Sequence, residues 1–193
     1  MTKFVYMGMG PDVIEELNSS NAVVRSYAWD TMGRQLYVKS GSSVWYEITN
    51  PHGDVVALAT GSALVGTWHF DAWGNQLGFS GTTIPFAFQG GYGSWTDSTS
   101  GCVYMQARWY YPKVGLFLSS DPAAGSADPR TPMAGLRWLY AFNSPLLYVD
   151  PLGLSLMVGP AGGSCDASCL GRQLEQRRPQ RQLLREPGQS GLE

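Results

Sequence analysis

Carboxylates in Asp-Pro pairs are the residues of this sequence whose type and spacing could do chemistry. Asp121, Asp128 and Asp150 each precede a proline, and Asp150 opens the run Asp-Pro-Leu-Gly-Leu. That run also has the composition of a type I β-turn, with Pro second and Gly fourth, so its plain interpretation is structural. A carboxylate can also act as a general acid or base, so the chemistry open to these residues depends on the elements that position them.

The other acid–base and nucleophilic residues offer no second site. His52 and His69 are the only histidines and no serine lies in a Gly-x-Ser-x-Gly run, so a hydrolase triad is not expected. The run Gly-Gly-Tyr-Gly at 90–93 lacks the Lys and Ser or Thr of a phosphate loop and is typical of a turn. Three cysteines, an odd number, give neither a disulfide framework nor a metal-ligand set. We therefore expect no cofactor and no metal.

The composition favours a β protein with many turns. Of the 193 residues, 44% are hydrophobic and 12% aromatic, and 24 are glycine. Only 15% are charged, against ~25% in an ordinary soluble domain. The net charge of −2 is too small to argue for nucleic acid or an acidic membrane as a partner.

Targeting signals are not evident in the sequence. The first ten residues hold no apolar run of signal-peptide length behind a basic start. No stretch approaches ~18 consecutive apolar residues, so no membrane span is expected. The sequence predicts a protein that is cytoplasmic when made, or one whose export signal lies on a preceding part.

Internal repeats give the strongest structural signal. Residues 27–36 read YAWDTMGRQL and residues 68–77 read WHFDAWGNQL, while EITNPHGDVVAL at 47–58 keeps the same Asx-x-x-Gly spacing. Asp or Asn favours the first position of a type I turn and Gly the fourth, and the flanking segments are rich in aromatic and β-branched residues. Residues 1–90 are therefore predicted to be antiparallel hairpins. One face should carry the repeat aromatics, opposite Ala28 and His69: Tyr27, Trp29, Trp68 and Phe70.

These repeats, with two later segments, resemble the C-terminal part of YD-repeat (Rhs-type) polymorphic toxin shells. Residues 84–121 resemble the opening of the Rhs-associated core, and residues 135–154 (GLRWLYAFNSPLLYVDPLGL) resemble its end. Tc-toxin C components share this organisation. About four fifths of the chain is covered, and the residues in register with the opening of the core are Phe88, Gly90, Asp97, Gly101, Tyr104, Ala107, Arg108, Tyr110, Pro112, Gly115, Phe117, Asp121 and Pro122.

The resemblance implies an all-β fold in three parts. Residues 1–83 would form antiparallel YD-repeat hairpins, part of a curled β shell, and residues 84–154 an irregular Rhs-associated core. Residues 155–193 contain no aromatic residue and are rich in Gly, Gln and Arg, so we expect a disordered tail that is a truncated or degenerate effector. The partners implied are the remainder of the shell, on this chain or another, and an immunity protein against the effector.

The resemblance also implies self-cleavage after Leu154, at the Leu154–Ser155 bond, by aspartyl-protease-like chemistry. Asp150 would supply one carboxylate. The second would come from Asp121, which matches by local context, or from Asp128, which lies 22 residues before Asp150 as the family spacing requires. Arg137, shortly upstream of the motif, would orient a carboxylate bidentately.

Arg108, in the family's Ala-Arg-Tyr-Tyr motif, would make a structural ion pair.

Departures from the family pattern leave a second function open. Tyr111 and Leu116 replace an expected Asp and Arg, the linker after Asp121 is rewritten, and LYAFNSP is two residues short. The alternative is a non-enzymatic structural or binding YD-repeat protein that no longer cleaves.

Overall fold

Consecutive hairpins build the larger of the sheets. The computed structural model describes residues 2–8, 12–122, 137–154 and 156–158. Eight antiparallel strands pair in chain order, which confirms the predicted hairpin repeats. They are β1 (Lys3–Tyr6), β2 (Val13–Leu17), β3 (Val23–Trp29), β4 (Gln35–Ser40), β5 (Ser43–Thr49), β6 (Val55–Thr60), β7 (Ala63–Phe70) and β8 (Gln76–Gly81). The outermost strands, β1 and β8, do not pair with each other, so the described sheet is open.

The Asx-x-x-Gly segments form equivalent turns at one end of this sheet. In 30–33, 50–53 and 71–74, the glycine N–H donates to the carbonyl oxygen of the Asx residue at 3.0–3.1 Å. Each glycine has positive φ, from 74° to 91°, as the turn sequence requires. The Asx side-chain Oδ1 accepts the N–H four residues on, at 2.8–2.9 Å, in all three turns. The turn chemistry read from the sequence therefore sets the hairpin positions.

The aromatic repeat positions line the inner face of the sheet, as predicted. Tyr27 and Trp68 are buried, Phe70 packs against the same cluster, and His69 is exposed. The Trp29 ring lies under Gly93, in the segment that covers this face. The side-chain alternation of β3 and β7 thus follows the register expected from the repeats.

The segment 82–94 differs from the expected continuation of the hairpins. It forms no strand and instead lies across the inner face of the sheet. The Val55 N–H donates to the Ala87 carbonyl at 2.9 Å, and the Gly91 N–H donates to the Gly53 carbonyl at 3.0 Å. Phe86 packs edge-on against Tyr27, with ring centroids 4.9 Å apart. One apolar core therefore spans the boundary at 83/84, and the division into three parts stays a prediction.

Smaller sheets carry the second half of the described chain. The four-stranded sheet contains β9 (Trp95–Thr96), β10 (Val103–Met105), β11 (Arg108–Tyr111) and β12 (Leu116–Phe117), and a two-stranded one contains β13 (Tyr148–Val149) and β14 (Met157–Val158). A second apolar cluster, centred on the buried rings of Phe88, Tyr110, Phe117 and Tyr140, packs beneath them. This cluster fixes the relative positions of β11, β12 and the end of β13.

Several predicted features lie outside the described residues. Asp128, Ser155 and the tail from 159 onward are among them, so the expectation of a disordered tail stays a prediction. In the described ranges, no helix is long and apolar enough to cross a membrane.

Candidate functional site

One buried guanidinium joins the two aspartates that the resemblance singled out. Arg108 Nη2 lies 2.9 Å from Asp150 Oδ2 and 3.3 Å from Asp121 Oδ2. Both oxygens contact the same nitrogen, so Arg108 bridges the two carboxylates. Asp150 is 3% exposed, and the Asp121 side chain is 18% exposed. The pair therefore opens to solvent on the Asp121 side.

Three chain segments deliver these side chains to one point. Arg108 is the first residue of β11, Asp150 directly follows β13, and Asp121 lies four residues beyond β12. The Asp121 N–H donates to the Arg137 carbonyl at 3.0 Å, which holds the aspartate against the segment that leads to β13. The site is thus set by main-chain pairing between elements far apart in sequence.

Asp150 begins a turn with the same bonds as the repeat turns. The Gly153 N–H donates to the Asp150 carbonyl at 3.2 Å, and Gly153 has a φ of 63°. The Leu154 N–H, four residues on, donates to Asp150 Oδ1 at 3.0 Å. This turn brings the Leu154 N–H against the Asp150 carboxylate.

The other two nitrogens of the Arg108 guanidinium donate hydrogen bonds as well, and one flat face of the group packs on an aromatic ring. Nε donates to the Gly153 carbonyl, and Nη1 donates to the Arg137 carbonyl at 3.0 Å. The guanidinium carbon lies 3.5 Å from the centroid of the Phe117 ring. Burial lowers the pKa of Arg108, and the charges of Asp150 and then Asp121 act in the opposite direction. Arg108 therefore fixes both aspartates and the turn that precedes Leu154.

The predicted site residues fall into two groups. Asp150, Asp121 and Leu154 come together, whereas Asp128 and Ser155 lie outside the described residues. Arg137 contributes its main-chain carbonyl to the site. The sequence predicted a structural ion pair for Arg108, but it did not predict that Arg108 bridges Asp121 and Asp150. Its place in the Ala-Arg motif was the available signal.

The charges of this group do not balance. One guanidinium, that of Arg108, contacts two carboxylates, so the three ionised side chains together have a net charge of −1 in a largely buried site. Burying an unbalanced charge is costly, and the opening to solvent on the Asp121 side reduces that cost.

Tyr140 is a buried neighbour of this pair. Burial, and then the neighbouring Tyr110, Asp54 and Asp150, raise the pKa of its hydroxyl well above the usual value. The hydroxyl therefore keeps its proton at physiological pH. Its ring packs on Tyr110, with centroids 4.4 Å apart.

Comparisons with known proteins identify the family. No family model matches the chain. The tRNA3(Ser)-specific nuclease WapA of Bacillus spizizenii is 32% identical over 156 residues, which are 79% of this chain and 7% of that protein. Toxin protein Tse5 of Pseudomonas aeruginosa is 32% identical over 87 residues, covering 45% of this chain and 6% of that one. The chain is an Rhs/Tc-toxin-like region.

Solved structures place the fold of this Rhs-type chain among Tc-toxin shells. The crystal structure of TcdB2-TccC3-TEV matches with a TM-score of 0.58 and 19% identity, over 79% of this chain and 8% of that one. The crystal structure of TcdB2-TccC3 without its hypervariable C-terminal region matches with a TM-score of 0.54 and 21% identity. The match covers 72% of this chain and 7% of that one. The Rhs-type chain thus spans less than a tenth of the length of these relatives.

Proposed function

We propose that this Rhs-type chain is the self-cleaving end of a toxin-encapsulating shell and cuts its own Leu154–Ser155 bond. The observation that carries the proposal is the pairing of Asp150 and Asp121 on Arg108, with the Leu154 N–H bonded to Asp150. In this arrangement the turn that precedes the bond and the two carboxylates share one buried cation.

The proposed reaction is hydrolysis. The ionised carboxylate takes a proton from a water molecule, and the oxygen of that water attacks the carbonyl carbon of Leu154. The protonated carboxyl donates to the carbonyl oxygen, which stabilises the tetrahedral intermediate. The C–N bond then breaks as the nitrogen of Ser155 takes up a proton. The products are a carboxylate at Leu154 and a new amino terminus at Ser155.

The released peptide would be residues 155–193, in the position of the effector. A solved TcdB2-TccC3 structure is described as lacking a hypervariable C-terminal region, which supports a variable segment after the conserved core in this family. The remainder of the shell is the proposed partner, with an immunity protein against the effector. The proposed route is synthesis in the cytoplasm and export as part of a secreted toxin.

Intact mass of the purified protein tests the proposal. We expect a fragment that ends at Leu154, and Asp150→Asn should abolish it because an amide can neither take nor give the required proton. Asp97→Asn is the matched control, since Asp97 lies in an exposed turn away from the site. Cleavage should increase as the pH falls from neutral, because one carboxyl must be protonated. An Asp150→Asn protein that is cut as fast as the wild type would refute the mechanism.

Two further variants identify the second carboxylate. Asp121→Asn should abolish cleavage, whereas Asp128→Asn should leave it intact, if the partner is the residue on Arg108. The reverse result would assign the role to Asp128 by its spacing.

A specific observation favours the non-cleaving structural alternative. Asp150 has the same turn bonds as Asp30 and Asp71, whose carboxylates only stabilise hairpins. If the wild-type chain folds correctly inside a complete shell and is never cut, the structural function is correct. The departures at Tyr111 and Leu116 would then be the first positions to restore.

A further inference from the structure

A histidine in the second repeat turn is bonded to the loop that leads to the site. His52 lies in the 50–53 turn, and its Nε2 is 2.8 Å from the carbonyl oxygen of Pro145. A carbonyl oxygen only accepts, so Nε2 carries the hydrogen and donates. The two residues are 93 positions apart in sequence, and the His52 side chain is 14% exposed. This contact joins the repeat sheet to the last segment before Asp150.

The other ring nitrogen of His52 is held by the segment that crosses the sheet. Gln89 Nε2 lies 3.0 Å from His52 Nδ1 and also donates to the His52 carbonyl at 2.9 Å. Asp54 Oδ1 accepts the Gln89 N–H at 3.0 Å and lies 3.3 Å from Nδ1. Both ring nitrogens of His52 are therefore engaged, which fixes the orientation of the imidazole. We call the His52–Pro145 contact the brace.

The loop that receives this bond has a strained backbone. Ala141, Phe142 and Asn143 have φ values of 48°, 50° and 59°, three consecutive non-glycine residues in the left-handed region. Each such residue costs on the order of 1–2 kcal/mol, so the surroundings must hold the loop in this conformation. Tyr140, fully buried, anchors the loop before the strained stretch, and the Pro145 carbonyl anchors it after. The strand β13 begins after two further residues, and Asp150 comes directly after it.

We infer that His52 is a positioning residue for self-cleavage: it holds the strained 141–145 loop so that β13 delivers Asp150 to Arg108. This inference rests on the proposed function. It makes cleavage conditional on a folded repeat, because the His52–Pro145 bond forms only when the 50–53 turn and Gln89 are in place. A partly folded shell would then keep its effector attached.

Cleavage rates of three variants test the brace. His52→Leu removes the donor and should slow cleavage about tenfold, the effect of losing one hydrogen bond of ordinary strength. His52→Gln keeps an N–H near the Nε2 position and should restore most of the rate. His69→Leu is the matched control, since His69 is exposed on β7 and should cleave as the wild type does. Equal rates for His52→Leu and wild type would overturn the inference.

Relief of the strain provides a second test in the His52→Leu background. Phe142→Gly removes the penalty of positive φ and should recover part of the rate. Phe142→Ala removes the ring contact with Tyr148 but keeps the strain, so it should not. Recovery by both variants, or by neither, would refute the claim that His52 holds a strained loop.

Hydrogen exchange separates this inference from the proposed function. The Leu147 and Tyr148 N–H groups donate to the Ser144 carbonyl at 2.9 and 3.1 Å. In His52→Leu they should exchange faster, while the amides of β5 and β6 stay protected. Faster exchange in a protein that never cuts would refute the proposed function and keep the brace. Unchanged exchange would refute the brace, whether or not the chain cuts.

Discussion

Glu47 is the residue whose chemistry fits its position least well. In the repeat alignment it stands where Tyr27 and Trp68 place aromatic rings in the core. Both of its carboxylate oxygens are buried without a hydrogen-bond partner among the described residues. This burial raises the pKa of Glu47 to about 8. The second repeat therefore keeps a neutral acid in an aromatic position.

The stability of the protein should therefore decrease as the pH rises from about 5 to 8. Over that range the folded state holds the Glu47 proton while the unfolded chain has already lost it, so deprotonation favours unfolding. Glu47→Gln should flatten this dependence and raise the free energy of unfolding at pH 8 by roughly 1–3 kcal/mol. Urea denaturation of both proteins at pH 5 and 8 measures the difference. Parallel pH profiles would show that Glu47 finds a partner.

At the scale of elements, the turn before Leu154 depends on Gly153. A Cβ atom there would lie 2.5 Å from the Met105 carbonyl oxygen and 3.2 Å from the backbone nitrogen of Arg108, and Gly153 has a φ of +63°. Gly153→Ala should therefore displace the turn from Arg108 and slow cleavage strongly. Gly41→Ala is the matched control, since Gly41 has a φ of +59° and open space around it. Both variants bear the conformational cost, so equal cleavage in the two would show that the close approach to β11 is unimportant.

The turns and strands could be predicted from sequence because their determinants are local. Asx and Gly at fixed spacing define each turn, and alternation then defines the inner face. The position of residues 82–94 across the sheet could not be predicted, because FAFQGG has the composition of another strand. Only the otherwise uncovered inner face of the sheet requires this segment to lie flat. The bridging by Arg108 and the His52–Pro145 bond depend on segments tens of residues apart, which no local pattern encodes. The resemblance, rather than spacing, selected Asp121 and Asp150.

At the scale of the whole molecule, the crossing segment 82–94 shares one core with the repeat sheet. Phe86 is 1% exposed and packs edge-on against Phe4 of β1 as well as Tyr27 of β3. Phe86→Ala should cost about 3–5 kcal/mol and weaken the repeat sheet together with the crossing segment. Denaturation followed by circular dichroism and by tryptophan fluorescence should shift in parallel. Leu64→Ala, at a 62% exposed position, should have little effect, and separate transitions for the two probes would contradict a shared core.

The bonds shared by the 150–153 turn and the repeat turns bear on how the proposed cleavage would be confined to one position. In the repeat turns the second carboxylate oxygen is used locally, by Arg34 for Asp30 and by Asn75 for Asp71. Only at Asp150, among these three, does that oxygen reach a distant cation with another acid beside it. Under the proposed function, the same turn would recur along a shell and only the 150–153 copy would carry the second acid. Duplication of repeats would then lengthen such a protein without adding cleavage sites.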